Sequence, residues 1–513
     1  MTAMPPTFLA RPLSELLSGF AAAPDVLVQD LALDSRQISV GAVFLACSGT
    51  KDHGLKFLPQ ALARGASAVL WEPGIGIEPP QTDIPAIAVK KLSERAGDIA
   101  ARFFGHPSRS LHCIGVTGTD GKTSTAYLTA QALERLGQPS FYIGTLGWGV
   151  YGALNPGDLT TPDPINLQRH LHAAVKAGRV AVAMEVSSIG LHQSRAAGVQ
   201  FHTAVLTNVG RDHLDYHGTL ENYAAAKRRL FERPEIRSRV LNRDDPVGTT
   251  WAAQFPGSTI YGLEGMAPKG ARYVLGRNLK LSSAGLAFDV DSHAGSSRIE
   301  CRLLGRFNAY NLLAAAAALL ETGASLDAVC GALSQAATVP GRIEGFRGPK
   351  ARPLVVVDYA HTPQALAQVL EAVRAHVAPG ASAGDKKSFS MTPATAGKLW
   401  CVFGCGGDRD RGKRPLMGAA AAQYADGAVV TDDNPRSEIP ADIVKEILAG
   451  IPAGARARTR VIHDRAQAIE TAVREATAED VVVVAGKGHE DYQIYGSERR
   501  SFSDRAFVAG LVG

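Results

Sequence analysis

Short apolar runs alternate with amphipathic stretches along most of the chain. The runs are rich in β-branched side chains and lie at residues 112–116, 180–184, 203–206, 354–357, 399–403, 428–430 and 481–485. Helical patterns separate them, and two of these begin at Lys122 and Glu221. Strands that alternate with helices indicate an α/β fold.

The pattern divides into three blocks, which we take as predicted domains. A chain of 513 residues suggests three domains, since a domain usually holds about 100–200 residues. Residues 1–110 form a small α/β unit, residues 111–340 open with a strand, a Gly-rich turn and a helix, and residues 341–513 hold the last four runs. Residues 378–398, rich in Ala, Ser, Gly, Pro and Thr, predict a mobile insertion without a chemical role.

Polar segments follow the apolar runs at the point where each strand should end. In the middle block, Glu185 follows one run, and Asn208, Asp212 and His213 follow the next. Ligands of open α/β sheets bind outside the carboxyl ends of the strands, so we expect such segments to converge. In the last block they are DYAH at 358–361, GCGGDRD at 404–410, DDNPR at 432–436 and GKGHE at 486–490.

Composition narrows the class of protein. Hydrophobic residues make up 45% of the chain and charged residues 20%, which is typical of globular proteins. The net charge of +5 is mild and its charges are interspersed. A nucleic-acid partner or a polybasic membrane anchor is therefore not indicated, whereas anionic small molecules fit.

Cysteine usage and hydropathy suggest a location. The six cysteines form no CxxC pair and no zinc-type cluster, which indicates reduced thiols in the cytoplasm. The longest conspicuous apolar run, 312–320, is too short to cross a bilayer, which needs about 20 residues. The N-terminal stretch lacks the apolar core of a signal peptide. We expect a cytoplasmic, monomeric protein without stable membrane insertion.

The motif GVTGTDGKTST at residues 115–125 is the first sign of chemistry. A Gly-rich turn that opens a helix presents backbone N–H groups to a polyphosphate. Lys122 would reach the β- and γ-phosphates and the Thr123 hydroxyl would meet Mg²⁺. The general pattern would place a Gly where Val116 stands, so this loop is a variant form. The predicted nucleotide-binding residues of the loop are Gly118, Thr119, Asp120, Gly121, Lys122, Thr123 and Ser124.

This variant loop resembles the ATP loop of the Mur ligases, the amide-forming enzymes of peptidoglycan synthesis. Further landmarks match in order: EVSS at 185–188, TNVGRDHLDYH at 207–217, YAAAK at 223–227, GRFNAYN at 305–311, GRIE at 341–344 and DYAHTP at 358–363. The resemblance implies a three-domain Mur ligase architecture. Its N-terminal domain would bind UDP, its central P-loop-type domain ATP, and its C-terminal Rossmann-like domain the amino acid.

The resemblance also implies a reaction. It is closest to the ligases that add a diamino acid to UDP-N-acetylmuramoyl-L-alanyl-D-glutamate, using ATP and Mg²⁺. In this family the D-Glu γ-carboxylate becomes an acyl phosphate, which the amine then attacks. Phosphoryl transfer depends mainly on positioning and on neutralising negative charge. The activity would serve cell-wall formation, and through it cell shape and division.

Four catalytic residues are implied by the matched motifs: Lys122, Glu185, His213 and Lys227. A carboxylate suits Mg²⁺, whereas an imidazole is a less usual ligand. On the residues alone, Glu185 and His213 are each about as easily surface groups, and Lys227 is most simply a solvated helix lysine. By resemblance, Lys227 is carbamylated by CO₂ and holds a second Mg²⁺, which requires a neutral amine. The implied metal ligands are Thr123, Glu185, His213 and Lys227.

Further positions are carried over to the nucleotide and the sugar substrate. Leu159 replaces a usual Asn and Ile189 a frequent His, which puts one polar substrate contact in doubt. On the nucleotide side they are Asn308, Asn311, Arg342 and Asp358, the last on the ribose. On the substrate side they are Leu33, Ser35, Thr160, Thr161, Ser187, Gln193 and Arg195.

The segment DNPR at 433–436 is the signal for the choice of amino acid. It matches the form associated with meso-2,6-diaminopimelate rather than L-lysine. Diaminopimelate carries a second carboxylate, and a guanidinium binds a carboxylate through two hydrogen bonds. An Asn-Pro surface turn is the plainer interpretation. The implied contacts are Arg409, Asp433, Asn434, Pro435, Arg436, Gly486 and Glu490.

Other functions stay open at this point. A lysine-adding ligase and a folylpolyglutamate synthase belong to the same superfamily, but the segments at 33–36 and 433–436 argue against both. A P-loop ATPase that acts on nucleic acid would usually show a basic stripe, which the sequence lacks. A non-catalytic nucleotide-binding scaffold would release no phosphate in response to an amino acid.

Overall fold

The structure, a computed structural model, describes residues 10–49, 52–266, 270–348, 352–377 and 397–513. These residues form three main sheets, each flanked by helices, and each sheet lies within one predicted domain. The predicted α/β fold is confirmed. The predicted insertion at 378–398 lies outside the described residues except for its last two positions.

The N-terminal unit is built on a parallel sheet of four strands: Asp30–Ala32, Ala42–Ala46, Ala68–Trp71 and Ala86–Ala88. A short antiparallel pair, Arg11–Pro12 with Leu27–Val28, lies beside it. The helices are Leu13–Leu16, Leu58–Ala63 and Leu92–Phe103. The last of these buries one apolar face in the core of the N-terminal unit.

The central sheet contains eleven strands among the described residues. Its core is parallel, with the strand that leads into the phosphate loop between two others, as in open ligand-binding sheets. The strands are His112–Thr117, Ser140–Gly144, Gly147–Val150, Ala153–Asn155, Ala181–Glu185, Thr203–Leu206, Ser238–Asn242, Thr259–Leu263, Arg272–Ser282, Gly285–Ser292 and Gly295–Cys301. The helices are Lys122–Arg135, Pro164–Lys176, Ser188–His192, Leu214–His217, Leu220–Phe231, Pro246–Gln254, Arg306–Leu320 and Leu326–Ser334.

The helix Arg306–Leu320 contains the apolar run at 312–320, which is too short to cross a bilayer. It packs beside the helix Lys122–Arg135 in the central core, and its alanines are fully buried. Small side chains let two helices approach closely, so Asn308 and Asn311 come near the phosphate loop. Within the described part of the chain, no helix is long and apolar enough to cross a membrane.

The C-terminal sheet has six strands, with a parallel core and one antiparallel edge. All four apolar runs of this block are strands, and each ends within a residue of its predicted position. The strands are Glu344–Phe346, Leu354–Asp358, Leu399–Phe403, Gly427–Val430, Thr459–Val461 and Val481–Ala485, with a ribbon of Tyr492–Tyr495 and Glu498–Ser501. The helices are Pro363–Arg374, Lys413–Tyr424, Pro440–Ala449, Ala453–Arg456, Arg465–Glu475 and Asp504–Val512.

Candidate active site

The phosphate loop joins the strand His112–Thr117 to the helix Lys122–Arg135. Gly118 and Gly121 both have positive φ, +152° and +80°. A Cβ on Gly118 would lie 1.8 Å from Thr207 Oγ1, and one on Gly121 would lie 2.5 Å from Asn311 Oδ1. Only glycine fits either position, so the loop keeps its backbone accessible at the start of a helix.

The segment after the strand Thr203–Leu206 holds the loop in place. The Thr207 hydroxyl donates to the carbonyl of Asp120 at 2.6 Å. The N–H of Thr119 donates to the carbonyl of Asn208 at 2.8 Å, and the N–H of Asp120 donates to Asn208 Oδ1 at 3.0 Å. Thr207 and Asn208 were not predicted as site residues, although they stand in the matched motif at 207–217.

Lys122 folds back on its own loop. Its Nζ donates to the carbonyls of Thr119 at 2.7 Å and Gly118 at 3.1 Å. Burial lowers the pKa of Lys122, while the nearby charge of Glu185 acts in the opposite direction. The Nζ of Lys122 thus lies against two carbonyls of the phosphate loop, and its contact with phosphate stays a prediction.

Glu185 ends a fully buried strand and is itself 0% exposed. It accepts hydrogen bonds from the Tyr142 hydroxyl at 2.6 Å, the Thr145 N–H at 2.7 Å and the Thr123 hydroxyl at 2.8 Å. The structure therefore brings Thr123 and Glu185 together, as predicted for a shared metal site. Tyr142 and Thr145 were missed, because their contacts to Glu185 are formed across the sheet.

Lys227 lies inside the protein rather than on a solvated helix face. The residue is 1% exposed, and its Nζ donates to the carbonyl of Gly118 at 2.6 Å. The Tyr223 ring centroid lies 4.1 Å from the same nitrogen. Burial, reinforced by the charge of Lys122, lowers the pKa of Lys227 to about 6. The residue is thus beside the phosphate loop and close to neutral at physiological pH.

His213 lies at the edge of this centre. Its side chain is about half exposed, its φ is +51°, and its Nε2 is 3.5 Å from Asp212. The ring of Tyr223, which contacts Lys227, lies 6.3 Å from the His213 ring, measured between ring centroids. Within the described residues, no group of three His, Cys, Asp or Glu side chains is arranged to hold a metal. The roles of Glu185 and His213 as metal ligands stay predictions.

A cavity of about 910 Å³ opens between the central and C-terminal units. The cavity extends from the phosphate loop to the end of the strand Leu354–Asp358 in the C-terminal sheet. A nucleotide bound there would contact both. Phe307, Tyr359 and His361 also line it and were not predicted. The predicted residues on its wall are Asp120, Gly121, Ser124, Asn308, Asn311, Arg342 and Asp358.

The amides and the carboxylate on that wall are partly committed to the protein. Asn311 Nδ2 donates to Asn308 Oδ1 at 2.9 Å, which fixes both amides on one helix. Asp358 accepts from the N–H of Ile343 at 2.8 Å and of Ala360 at 2.7 Å. Burial raises the pKa of Asp358 despite these two bonds. The contact of Asp358 with the ribose stays a prediction. The structure shows that the Asp358 carboxylate holds the backbone at Ile343 and Ala360 in place.

A second cavity, of about 460 Å³, lies between the N-terminal and central units. Leu33 and Leu159 both line it, so the departure at Leu159 faces the predicted substrate region. Ser35 does not line it: the residue is buried, and its hydroxyl donates to Gln60 Oε1 at 2.6 Å.

A chain of hydrogen bonds connects the predicted muramoyl-peptide contacts. The Thr161 hydroxyl donates to the carbonyl of Glu185 at 3.0 Å and accepts from the N–H of Ser187 at 2.9 Å. Arg195 donates to the carbonyl of Thr161 at 3.1 Å and to Gln193 Oε1 at 2.6 Å. Thr160 instead meets the Thr145 hydroxyl at 3.0 Å. These residues form one assembly with Glu185; Ile189 is half-buried in the adjoining helix.

The polar loops of the C-terminal sheet converge as the strand order predicts. The N–H of Gly407 donates to the carbonyl of Asn434 at 2.9 Å, and Arg436 Nη1 donates to the carbonyl of Gly407 at 2.8 Å. Asn434 Nδ2 donates to Glu490 Oε2 at 3.2 Å. Pro435 is buried within this group, while Arg409 is exposed beside it.

The loop at 486–490 begins with a glycine because the side chain of Asp433 approaches its backbone closely. Gly486 has a φ of +118°, and a Cβ there would lie 2.6 Å from Asp433 Oδ2. The next residue, Lys487, is 0% exposed and reaches both Asn434 and Glu490. It was not predicted as a site residue, although it stands in the quoted loop.

Three domain patterns of one family match the chain. The Mur ligase catalytic-domain pattern matches residues 28–104, the middle-domain pattern residues 116–319, and the glutamate-ligase-domain pattern residues 341–488. These matches follow the order of the three sheets. The finer boundaries at 110/111 and 340/341 stay predictions.

Similar proteins cover nearly the whole chain. A UDP-N-acetylmuramoyl-L-alanyl-D-glutamate–2,6-diaminopimelate ligase of Alkalilimnicola ehrlichii is 47% identical over 96% of each chain. One of Pseudomonas syringae pv. tomato is 47% identical over 94% of each chain. A solved structure with the same enzyme name is 36% identical, covers 98% of this chain and 99% of its own, and has a TM-score of 0.73.

Proposed function

Because the chain belongs to the Mur ligase family, we propose that it joins meso-2,6-diaminopimelate to the D-Glu γ-carboxylate of UDP-N-acetylmuramoyl-L-alanyl-D-glutamate. The reaction is an ATP-dependent amide synthesis in peptidoglycan biosynthesis. It is the activity named for the relatives that are 45–47% identical over most of their length.

One observation supports this function above all others: the phosphate loop and Glu185 lie between two cavities. Gly144, which lines the smaller cavity, packs against the Glu185 carboxylate. A Cβ added to Gly144 would lie 2.3 Å from Glu185 Oε1. Gly121 of the phosphate loop lines the larger one. A sugar-linked peptide in the first and a nucleotide in the second would therefore present an acid group and a phosphoryl group to the same centre.

The residues of the phosphate loop fit ATP. The two glycines keep the backbone open where a Cβ would close it, and the loop begins a helix. Lys122 would exchange its two carbonyl contacts for phosphate oxygens, to which an ammonium binds as a compact charge.

The donor set also fits Mg²⁺. Thr123 and Glu185 offer adjacent oxygens in a buried place, and hard cations prefer oxygen ligands. By the family resemblance, His213 would add a further ligand, and Lys227, as a carbamate, would hold a second Mg²⁺. A bound Mg²⁺ would neutralise charge on the transferring phosphoryl group.

Carbamylation of Lys227 needs a neutral amine, and the geometry supplies one. The neutral Nζ would attack the carbon of CO₂, forming an N–C bond and releasing a proton to water. The product is an anion in place of a cation, close to Gly118 of the phosphate loop. A pKa lowered to about 6 leaves most of the amine neutral near pH 7.5.

The chain then acts on the substrates by placing and stabilising charge. Lys122 and the loop N–H groups would hold the γ-phosphoryl group in line with the D-Glu carboxylate. The carboxylate oxygen attacks phosphorus and ADP leaves, giving an acyl phosphate. The amine of diaminopimelate adds to its carbonyl, and the tetrahedral intermediate expels inorganic phosphate.

The diamino acid would bind at the loops that follow the C-terminal strands. Arg436 uses Nη1 on Gly407, so its other nitrogens can meet the extra carboxylate of diaminopimelate. Asp433 and Glu490 would accept hydrogen bonds from the distal ammonium. Lysine leaves the guanidinium without a partner, and a site built for a polar group can reject such an analogue by about 10⁴-fold.

Phosphate release tests the function against its rivals. The purified protein is given ATP, Mg²⁺ and UDP-N-acetylmuramoyl-L-alanyl-D-glutamate, with meso-diaminopimelate, with L-lysine or with no amino acid. We expect phosphate release only in the reaction that contains meso-diaminopimelate, and a tripeptide product of that reaction in mass spectrometry. Release without an acceptor would favour a plain ATPase, and equal kcat/KM for lysine would refute the specificity.

A further inference from the structure

We infer that Lys487 determines specificity in the amino-acid site by acting through Glu490, an inference that rests on the proposed function. Lys487 lies in the loop after the strand Val481–Ala485, between two glycines with positive φ. It belongs to the protein interior, with 0% of the residue exposed.

Because Lys487 is buried, its charged side chain depends on hydrogen-bond partners within the protein. Its Nζ lies 3.2 Å from Glu490 Oε2 and 3.3 Å from Asn434 Oδ1. The Tyr492 ring centroid is 5.4 Å away. A buried ammonium is tolerated only when it is paired and hydrogen-bonded, so this contact holds the loop in one arrangement.

The same contacts orient Asn434. Its Oδ1 accepts from Lys487 and from the N–H of Ile494 at 3.0 Å, while its Nδ2 donates to Glu490 Oε2 at 3.2 Å. A rotated amide would face the ammonium and the Ile494 N–H with its own N–H groups, so Lys487 reinforces the orientation that Ile494 and Glu490 also require. Asn434 then acts mainly as a brace within the loop.

The protein holds the Glu490 carboxylate through only one of its two oxygens. Lys487 and Asn434 each donate to Oε2, and among the described residues no hydrogen bond reaches Oε1. The Glu490 side chain is 19% exposed, so part of it faces solvent. One oxygen is therefore held by the protein, and the other is presented for a ligand ammonium.

Charge balance links this geometry to the choice of substrate. The distal end of diaminopimelate carries one ammonium and one carboxylate, whereas the end of lysine carries an ammonium only. Lys487 offsets one of the two carboxylates, Asp433 and Glu490, that face the ammonium. Without it the site would be more negative, which disfavours a zwitterionic end and favours a lone cation.

Replacement by an uncharged side chain of similar length tests the inference. At saturating ATP and UDP-linked substrate, Lys487→Met should raise the KM for meso-diaminopimelate by at least about tenfold, with kcat changed less than about threefold. The ratio of kcat/KM for diaminopimelate over lysine should fall by at least about tenfold. Lys445→Met, which removes an exposed lysine of the same unit, should leave both quantities unchanged.

A double-mutant cycle separates action through Glu490 from a general structural effect. Glu490→Gln removes the carboxylate on which Lys487 acts, so adding Lys487→Met to it should raise the KM by less than about threefold more. Effects that multiply independently would overturn the inference, as would an unchanged selectivity in Lys487→Met.

Folding and basic activity are checked in parallel. The KM for ATP and the melting temperature show whether Lys487→Met is folded, and Lys487→Gln, which keeps a donor but no charge, repeats the test. Failure of both variants to fold would assign Lys487 to stability alone and overturn the inference. If the wild-type protein makes no tripeptide from diaminopimelate, the proposed function itself fails, which is a different result.

Discussion

Two lysines are buried in different units of the protein, and their surroundings differ in kind. Lys227, beside the phosphate loop, is 1% exposed and donates to a backbone carbonyl. Lys487, in the last loop of the C-terminal sheet, is 0% exposed and forms an ion pair with Glu490. Within the described part of the chain, no carboxylate lies at ion-pair distance from Lys227.

The difference teaches what each region is built to do. Desolvation without a counter-ion, next to Lys122, favours the neutral amine, and the pKa of Lys227 falls to about 6. A neutral amine can react, whereas an ammonium held by a carboxylate can only position its neighbours. Under the proposed function, the central unit would thus hold a group ready for chemistry, and the C-terminal unit a fixed recognition surface.

The strongest test of the contrast is to remove the reactive lysine. Lys227→Ala should lower kcat by at least about 10³-fold, because an anionic metal ligand is lost. A short carboxylic acid added to the buffer should restore part of the activity. Arg229→Ala, on the exposed face of the same helix, is the control and should stay near wild type. Full activity of Lys227→Ala would remove the basis for a carbamate.

The next test concerns the carboxylate of the reactive centre. Glu185→Gln keeps the shape but places an amide N–H group against the donors Tyr142 and Thr123. Activity should fall by about 10²–10³-fold, and the Mg²⁺ concentration for half-maximal activity should rise. A titration of Mg²⁺ binding by calorimetry in the presence of ADP gives a readout independent of turnover. An unchanged Mg²⁺ affinity would exclude Glu185 as a ligand.

A third test addresses the recognition surface. Arg436→Ala should raise the KM for meso-diaminopimelate by about 10²-fold, because the extra carboxylate loses its paired donor. The KM for ATP should not change, since Arg436 does not line the cavity that joins the phosphate loop to the C-terminal unit. Arg460→Ala, an exposed arginine of the same unit, serves as the control. Equal losses for lysine and diaminopimelate would show that Arg436 does not read the carboxylate.

The smallest expected effect is on stability against pH. The folded state holds Lys227 with a pKa of about 6, below the value of about 10.4 in an unfolded chain. Between these values the unfolded state binds more protons, so stability rises with pH. In CO₂-free buffer, Lys227→Met should be more stable than wild type by about 2 kcal/mol near pH 6.5.

That advantage should shrink as the pH rises toward about 10.4, because only above that value is Lys227 mostly neutral in the unfolded state as well. Thermal or urea unfolding of both proteins across pH 6.5–10 measures it. A pH-independent difference would mean that Lys227 is not neutralised on folding. Lys445→Met, at an exposed site, should show no such trend.

Much of this arrangement was readable from local patterns. The strands at 203–206, 399–403 and 481–485 lie where the apolar runs predict them. The phosphate loop and its helix from Lys122 follow from glycine spacing. Because parallel strands end on one edge of a sheet, the meeting of the loops at 404–410, 432–436 and 486–490 could also be expected.

Other features depended on contacts that no local pattern records. His213 was predicted as a metal ligand, and about half of its side chain faces solvent. Ser35 was predicted at the substrate, and its hydroxyl forms a hydrogen bond inside the N-terminal unit. Both roles stay predictions, because the packing around a side chain, rather than its position in a motif, sets its direction.

The sequence alone determined the fold class, the positions of many strands along the chain and the places where phosphate and carboxylate chemistry could occur, because periodicity and glycine spacing act over a few residues. Only the tertiary structure decided the state of the charges. Burial and the charge of Lys122 favour the neutral form of Lys227, whose hydrogen-bond partner Gly118 lies 109 positions away, and the partner Asn434 lies 53 positions from Lys487. Desolvation and pairing depend on which distant segments meet, so they arise only when the sheets have formed.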